Sequence, residues 1–246
     1  MTATAIDSWT PQAGAAGLGV SPIVRSTVHD RVYSDLRDRL MRGQFAPGQP
    51  LTISELSSAF GTSAQPVRDA IRQLCTEKAL EALPNRTTRV PVLDRERLED
   101  LRRARRAIEG LAAELGAGKA GPQDIERLVD IVEQETQADD TSRVETSVRQ
   151  NHDFHFALYH LSGSTVLPPM IESLWLQLGP YIRQSAEFFD ASQGRGVEFH
   201  RLALDALRSH DPAGVRKAIE QDIDRLFELV TSDDFFSRMR LWKAAA

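Results

Sequence analysis

The sequence predicts a mainly α chain in two parts: an N-terminal winged helix-turn-helix with a small β-hairpin wing, then an all-α helical bundle. Three observations lead there. Apolar residues recur at helical spacing over 27–42, 53–60 and Gly61–Lys78. Two short apolar runs follow within Leu80–Val92, around Asn85-Arg86-Thr87-Thr88-Arg89. Beyond Leu93-Asp94 no strand pattern returns. Instead helical segments are expected near 95–118, 123–138, 142–161, 165–189, 196–209 and 212–231, with breaks at glycine, proline and aspartate clusters.

Taken in order, Val28, Val32, Leu36 and Leu40 give the first helix a core face, Ser26 or Thr27 can cap it, and Gly43 ends it. The prolines and Gly48 of Phe45-Ala-Pro-Gly-Gln-Pro make a turn, and Leu51 is the apolar entry to the next element. Thr52 or Ser54 can cap the short second helix, in which Ile53, Leu56 and Phe60 form the buried stripe. Gly61-Thr62-Ser63 turns the chain tightly. Pro66 is tolerated near the start of the third helix, where the first N–H groups are unpaired anyway. Val67, Ala70, Ile71 and Leu74 then face the core, with Arg68, Arg72 and Gln73 pointing elsewhere. In the bundle, Leu98, Leu101, Ala104, Ile108, Leu111, Ala112 and Leu115 mark the core face of the first long helix.

Composition narrows the functional classes. The chain has 246 residues, 41% hydrophobic and 26% charged, an ordinary globular balance with room for two modest domains. No apolar run approaches the ~20 residues of a membrane span. The N-terminus lacks the basic and apolar regions of a secretory signal and reads as a flexible tail. The single cysteine, Cys75, excludes an internal disulfide framework and fits a reducing cytoplasm. Net charge is −5 but uneven: residues 21–92 carry ten Lys/Arg against seven Asp/Glu, and residues 93–246 twenty against twenty-seven. A basic part joined to an acidic part fits a chain of which one end meets phosphate.

The segment Val28–Val92 resembles the GntR family of bacterial transcription regulators. The resemblance is carried by Val32-Tyr33-x-x-Leu36-Arg37-x-x-Leu40, Gly43-x-x-x-Pro47-Gly48, Leu56-x-x-x-Phe60-Gly61-x-Ser63, Pro66-Val67-Arg68-Asp69-Ala70-Ile71-x-x-Leu74 and Leu83-Pro84-Asn85-Arg86-x-x-Arg89-Val90. The second part resembles the effector (FCD) domain of that family's FadR-like branch, through Arg105-x-x-Ile108-Glu109, Asn151-x-x-Phe154-His155, Glu198-x-His200 and Ala218-x-x-x-Asp222-Ile223. The chain departs from the family pattern at Ala64, where Arg is usual, and at Lys78 and Thr87, where Gly is usual. These changes imply an altered set of DNA contacts.

The residues assigned to DNA are Ser63, Gln65, Arg68 and Arg72 on the recognition helix, Arg86 and Arg89 on the wing, and Arg37 and Ser54 on flanking phosphates. Arg and Gln suit major-groove edges because each can pair two hydrogen bonds with one base. The competing reading is that these are solvated surface charges.

The resemblance also implies a divalent metal site, zinc or nickel, at Asn151, His155, His200 and Asp222, with Asp222 standing where the branch has His and Asn151 where it has Asp or Asn. The same histidines can equally be hydrogen-bonded core residues. Arg105, Arg102 and Arg149 are candidates to hold an organic anion beside the site, and Arg105 can instead form an i,i+4 ion pair with Glu109.

The expected organisation is a tail at 1–22, the DNA-binding domain at 23–92, a linker at 93–95, a ligand-binding and dimerisation domain at 96–232, and a tail at 233–246. The expected function is a cytoplasmic, homodimeric regulator, a repressor on family habit, that binds a palindromic double-stranded operator under control of a small organic acid. A dimer is expected because one winged domain reads only a half-site. Two alternatives stand beside it: a metal-dependent hydrolase built on His155, His200 and Asp222, and a DNA-binding protein that answers to no ligand.

Overall fold

The computed structural model describes residues 27–84, 87–137, 143–192 and 197–237. The expected wing-tip contact Arg86 and most of the two tails lie outside these residues. Helix α1 (Val28–Met41) starts at a reciprocal cap: the Thr27 hydroxyl accepts from the Asp30 N–H, and the Asp30 carboxylate accepts from the Thr27 N–H at 2.7 Å. Its buried stripe is Val32, Leu36, Leu40 and Met41. Strand β1 (Pro50–Leu51) leads to α2 (Ile53–Phe60), capped by Thr52 and ended by Gly61 in the left-handed region. Helix α3 (Ala64–Thr76) follows the tight turn and buries Val67, Ala70, Ile71 and Leu74.

Strands β2 (Glu81–Ala82) and β3 (Thr88–Arg89) form the expected hairpin, and β1 adds a third antiparallel strand, giving the order β1-β3-β2. Leu51 sits opposite Thr88, and Glu81 opposite Arg89. Two residues are too few to show strand alternation, so β1 was not legible in the sequence.

The bundle consists of α4 (Arg95–Ala117), α5 (Pro122–Gln137), α6 (Arg143–Leu161), α7 (Leu167–Ser192), α8 (Glu198–Arg208) and α9 (Pro212–Val230). The largest departure from the expected boundaries is α7, which continues to Ser192 and carries Pro180 inside it. Asp94 caps α4 through the Arg97 N–H, and Asp211 caps α9 ahead of Pro212. Helices α4 and α9 lie side by side, joined by ion pairs of Arg102 and Arg106 with Asp224, Arg106 with Glu220, and Arg216 with Glu114.

The winged domain is seated on α7. Arg37 of α1 pairs with Glu172 of α7 at 2.7 Å. The Tyr181 hydroxyl accepts the Leu93 N–H at 2.7 Å and lies 3.4 Å from the Pro91 carbonyl, which holds the connection between the two parts.

Candidate DNA interface and metal centre

Helix α3 is amphipathic by construction. Its four apolar residues turn inward, which leaves Ser63, Ala64, Gln65, Arg68 and Arg72 exposed along one side, with Ser54 of α2 exposed as well. Ser63 occupies the N-cap position, yet its hydroxyl makes no cap hydrogen bond, so it is available to a phosphate at the positive end of the helix. Arg68 has no hydrogen-bond or ion-pair partner among the described residues, so its guanidinium is open to an external partner.

Gln65 and Arg72 share a support. The Gln65 amide nitrogen lies 3.0 Å from both oxygens of Asp69, and Arg72 Nη1 lies 3.5 Å from Asp69 Oδ1. The sequence reading gave Asp69 no role, although its spacing of four from Gln65 and three from Arg72 is that of helix-face neighbours. Two other expected contacts have acquired carboxylate partners. Arg89 donates to Glu81 at 2.5 Å across the wing base, and Arg37 is held by Glu172 at the domain junction.

Lys78 and the neighbouring backbone explain one departure from the family pattern. Helix α3 ends with the Lys78 N–H on the Cys75 carbonyl and the Ala79 N–H on the Leu74 carbonyl, a Schellman cap. Lys78 itself has φ +63°, the conformation that favours glycine. The family's glycine therefore answers a backbone demand at this helix end, and the lysine fills the same conformation. The expectation that Lys78 reports on altered DNA contacts is replaced by this one.

In the bundle, α6, α8 and α9 bring His155, His200 and Asp222 together, with one ligand atom from each within 4.8 Å of the others. His155 Nε2 is 3.1 Å from Asp222 Oδ2 and 3.3 Å from His200 Nε2. Two nitrogens bound tetrahedrally to one zinc ion at ~2.05 Å stand ~3.3 Å apart, so these separations fit a metal of that size. Both imidazoles are buried, and Phe154 stacks on the His200 ring at 4.3 Å between centroids. Asn151, half buried, precedes His155 by one turn on α6.

The surrounding hydrogen bonds set where the His155 proton lies. Glu109 is fully buried against Arg105, which donates to its two oxygens at 2.5 and 3.0 Å; the carboxylate also accepts from Trp175 Nε1 at 3.0 Å and from the Tyr159 hydroxyl at 2.8 Å. With its proton on Glu109, the Tyr159 oxygen is left to accept from His155 Nδ1 at 2.7 Å. His155 Nε2 then carries a lone pair aimed at Asp222. Burial pushes His155 below the ordinary imidazole range, against the pull of Asp222. A neutral imidazole and a carboxylate whose ligand atoms lie this close are a donor set suited to a divalent metal.

The three candidate effector arginines separate. Arg105 lies beside the cluster with its guanidinium over the Trp175 ring at 4.7 Å; its Nη1 is buried without a hydrogen-bond partner. The i,i+4 pair with Glu109 is present as well, so both readings of Arg105 describe part of it. Arg102 is engaged by Asp224 and Glu99 on the α4–α9 seam. Arg149 is exposed on α6 and lines an open groove with Arg127, Gln134 and His160. Trp175 and Tyr159 were missed, though Tyr159 follows His155 by one helical turn.

An exposed helix beside a three-stranded wing, seated on a helical bundle that encloses a buried His–His–Asp cluster, defines the architecture of a two-part DNA-binding regulator. The chain belongs to the gntR family of bacterial regulatory proteins: the family's DNA-binding region matches residues 28–90, and the FCD domain matches residues 100–225. It is 31% identical over 192 residues to the HTH-type transcriptional regulator McbR of Escherichia coli (strain K12), covering 78% of this chain and 87% of that protein. It is 29% identical over 191 residues to the Nta operon transcriptional regulator of Aminobacter aminovorans, covering 76% and 88%. The solved structure of E. coli McbR/YncC superposes with a TM-score of 0.74 at 27% identity, covering 84% of this chain and 98% of that one. A putative GntR regulator from Rhodococcus sp. RHA1 shares the fold, with a TM-score of 0.69 at 20% identity over 83% and 98% of the two chains. The chain is thus a transcription regulator of this family, and the hydrolase alternative falls away.

Proposed function

We propose that the chain is a cytoplasmic, homodimeric repressor that binds a palindromic operator through Ser54, Ser63, Gln65, Arg68 and Arg72 on each protomer. Zinc or nickel held by His155, His200 and Asp222, with Asn151 as a fourth ligand, and a small organic acid bound at the metal and Arg105, would set its DNA affinity. The observation that carries the sensory half is the close approach of two buried imidazole nitrogens and one carboxylate oxygen, with His155 Nε2 3.1 Å from Asp222 Oδ2 and 3.3 Å from His200 Nε2. The buried, unpartnered Nη1 of Arg105 supports an anion beside them. A repressor role has support from E. coli (strain K12) RspR, which is named a transcriptional repressor and is 23% identical over 215 residues.

Helix α7 offers the route between the halves. Trp175 packs on His155 and Arg105, and Glu172, one turn earlier on the same helix, holds Arg37 of the winged domain. A ligand acts as an effector here only if it binds one arrangement of α7 more tightly than another.

The test is fluorescence anisotropy of full-length protein on the DNA flanking its own gene, at two salt concentrations, with and without zinc and a panel of small carboxylic acids. Elemental analysis of the purified protein accompanies it. Specific binding whose affinity shifts with an acid only when metal is present supports the whole reading. Specific binding that ignores both would leave a ligand-independent regulator, and no specific complex at moderate salt would sink the DNA half.

A further inference from the structure

One face of α6 repeats at four-residue intervals: Ser147, Asn151, His155 and Tyr159. The inner two belong to the proposed metal centre. Each outer one hydrogen-bonds a buried carboxylate from another helix. Tyr159 donates to Glu109 of α4, and Ser147 Oγ donates to Glu135 Oε1 of α5 at 2.7 Å. Glu109 thereby stands behind His155. Glu135 stands behind His200 in the same sense, with its Oε2 3.6 Å from His200 Nδ1.

Glu135 is the less explained of the two. Glu109 is neutralised by Arg105, whereas Glu135, 7% exposed, faces no Lys or Arg in ion-pair range among the described residues. Its Oε2 and the facing His200 Nδ1 are both buried without a hydrogen-bond partner. A buried carboxylate with no cation beside it is destabilised. A proton on Nδ1 turns the two orphan atoms into donor and acceptor, and a ring movement of a few tenths of an ångström closes the bond. That proton leaves Nε2 as a lone pair facing His155, and a cation at Nε2 would offset the Glu135 charge through the ring.

We infer that Glu135 is a positioning residue for the metal centre: held by Ser147, it fixes His200 with the proton on Nδ1 and Nε2 directed at the ion. This rests on the metal reading above. Ligating histidines commonly donate their second nitrogen to such a carboxylate, and loss of that partner typically lowers metal affinity 10–100-fold.

The test uses full-length protein with 15N-labelled histidine, stripped of metal and held at pH ~8, above the ordinary imidazole range. Long-range 15N–1H correlation reads the tautomer of His200, and competition with a chromophoric chelator reads zinc affinity. Wild type is expected to show the Nδ1–H tautomer at His200. In E135A the ring should become a tautomer mixture and zinc affinity should fall ~10–100-fold. E135Q, whose amide oxygen still accepts from Nδ1, should keep the tautomer and recover most of the affinity. S147A, a milder change that leaves the carboxylate in place, should fall between wild type and E135A. An Nε2–H tautomer in wild type overturns the inference, whatever the variants do. So does E135A matching wild type in both readouts while H155A and H200A lose zinc, a result that leaves the metal site standing. Wild-type protein that binds no zinc overturns the metal reading and the role of Glu135 with it.

Discussion

Gly43, just past α1, and Gly179, in the middle of α7, meet backbone to backbone. A Cβ on Gly43 would stand 2.6 Å from the Gly179 carbonyl oxygen and 2.5 Å from Arg183 Cβ, and one on Gly179 would strike the Leu40 carbonyl oxygen and the Met41 backbone. Gly43 also has φ +63°, so any side chain there is strained on two counts. The contact ties the winged domain to the helix that carries Trp175. G179A is expected to destabilise by about 1–3 kcal/mol, the usual cost of overpacking, because backbone atoms cannot rotate out of the way. Urea denaturation measures it; an unchanged midpoint would mean that the two parts do not pack in this way in solution.

Removal of Arg68 should be the most damaging single change on the recognition helix. A side chain paired to one base is worth about 1–3 kcal/mol, so R68A should weaken operator binding on the order of 10–100-fold. R37A should do less to DNA affinity, since its guanidinium is held by Glu172. Anisotropy titrations of both variants separate the two roles. An R37A loss equal to that of R68A would put Arg37 back on the DNA.

Asp69 should matter without touching a base. Both Gln65 and Arg72 lean on it, so D69A frees two side chains that DNA binding must then order. Ordering each rotamer-rich chain costs about 0.5–1.5 kcal/mol. Operator affinity should therefore fall several-fold, while the fold, followed by circular dichroism, stays intact. Wild-type affinity in D69A would show that the Asp69 contacts are incidental.

Lys78 offers a stabilising substitution. K78G places glycine in the left-handed conformation the helix end already adopts, with an expected gain of about 1 kcal/mol. Thermal melting checks the direction, and a lower midpoint would contradict the cap described here.

Zinc should stabilise the bundle by mass action. At a free concentration about 100 times its dissociation constant, the gain is about 2.7 kcal/mol, reversed by chelation. D222N replaces the carboxylate ligand of the cluster and should abolish most of the thermal shift. A shift that survives in D222N would mean that zinc binds elsewhere.

The recognition helix was legible because its information is local. Val67, Ala70, Ile71 and Leu74 fix which side is buried, and the exposed side follows by period. The histidines of the candidate centre were reachable by resemblance, but not their protonated nitrogens. Those depend on Tyr159, Glu109 and Glu135, which come from three helices and carry no shared signature in the chain. Arg102, Arg105 and Arg149 looked alike in sequence; their neighbours separated them, Asp224 claiming the first, Trp175 and Glu109 the second, and solvent the third.

By itself, the sequence determined a winged helix-turn-helix followed by a helical bundle, because helical period, glycine breaks and caps act over a few residues. Only the tertiary structure decided that β1 joins the wing, that Arg37 meets Glu172, and that Lys78 occupies a glycine conformation. It also decided which atoms of His155, His200 and Asp222 face one another. Strand pairing, ion pairs between helices and the burial of charge depend on residues tens of positions apart, and no local period encodes which of them will meet.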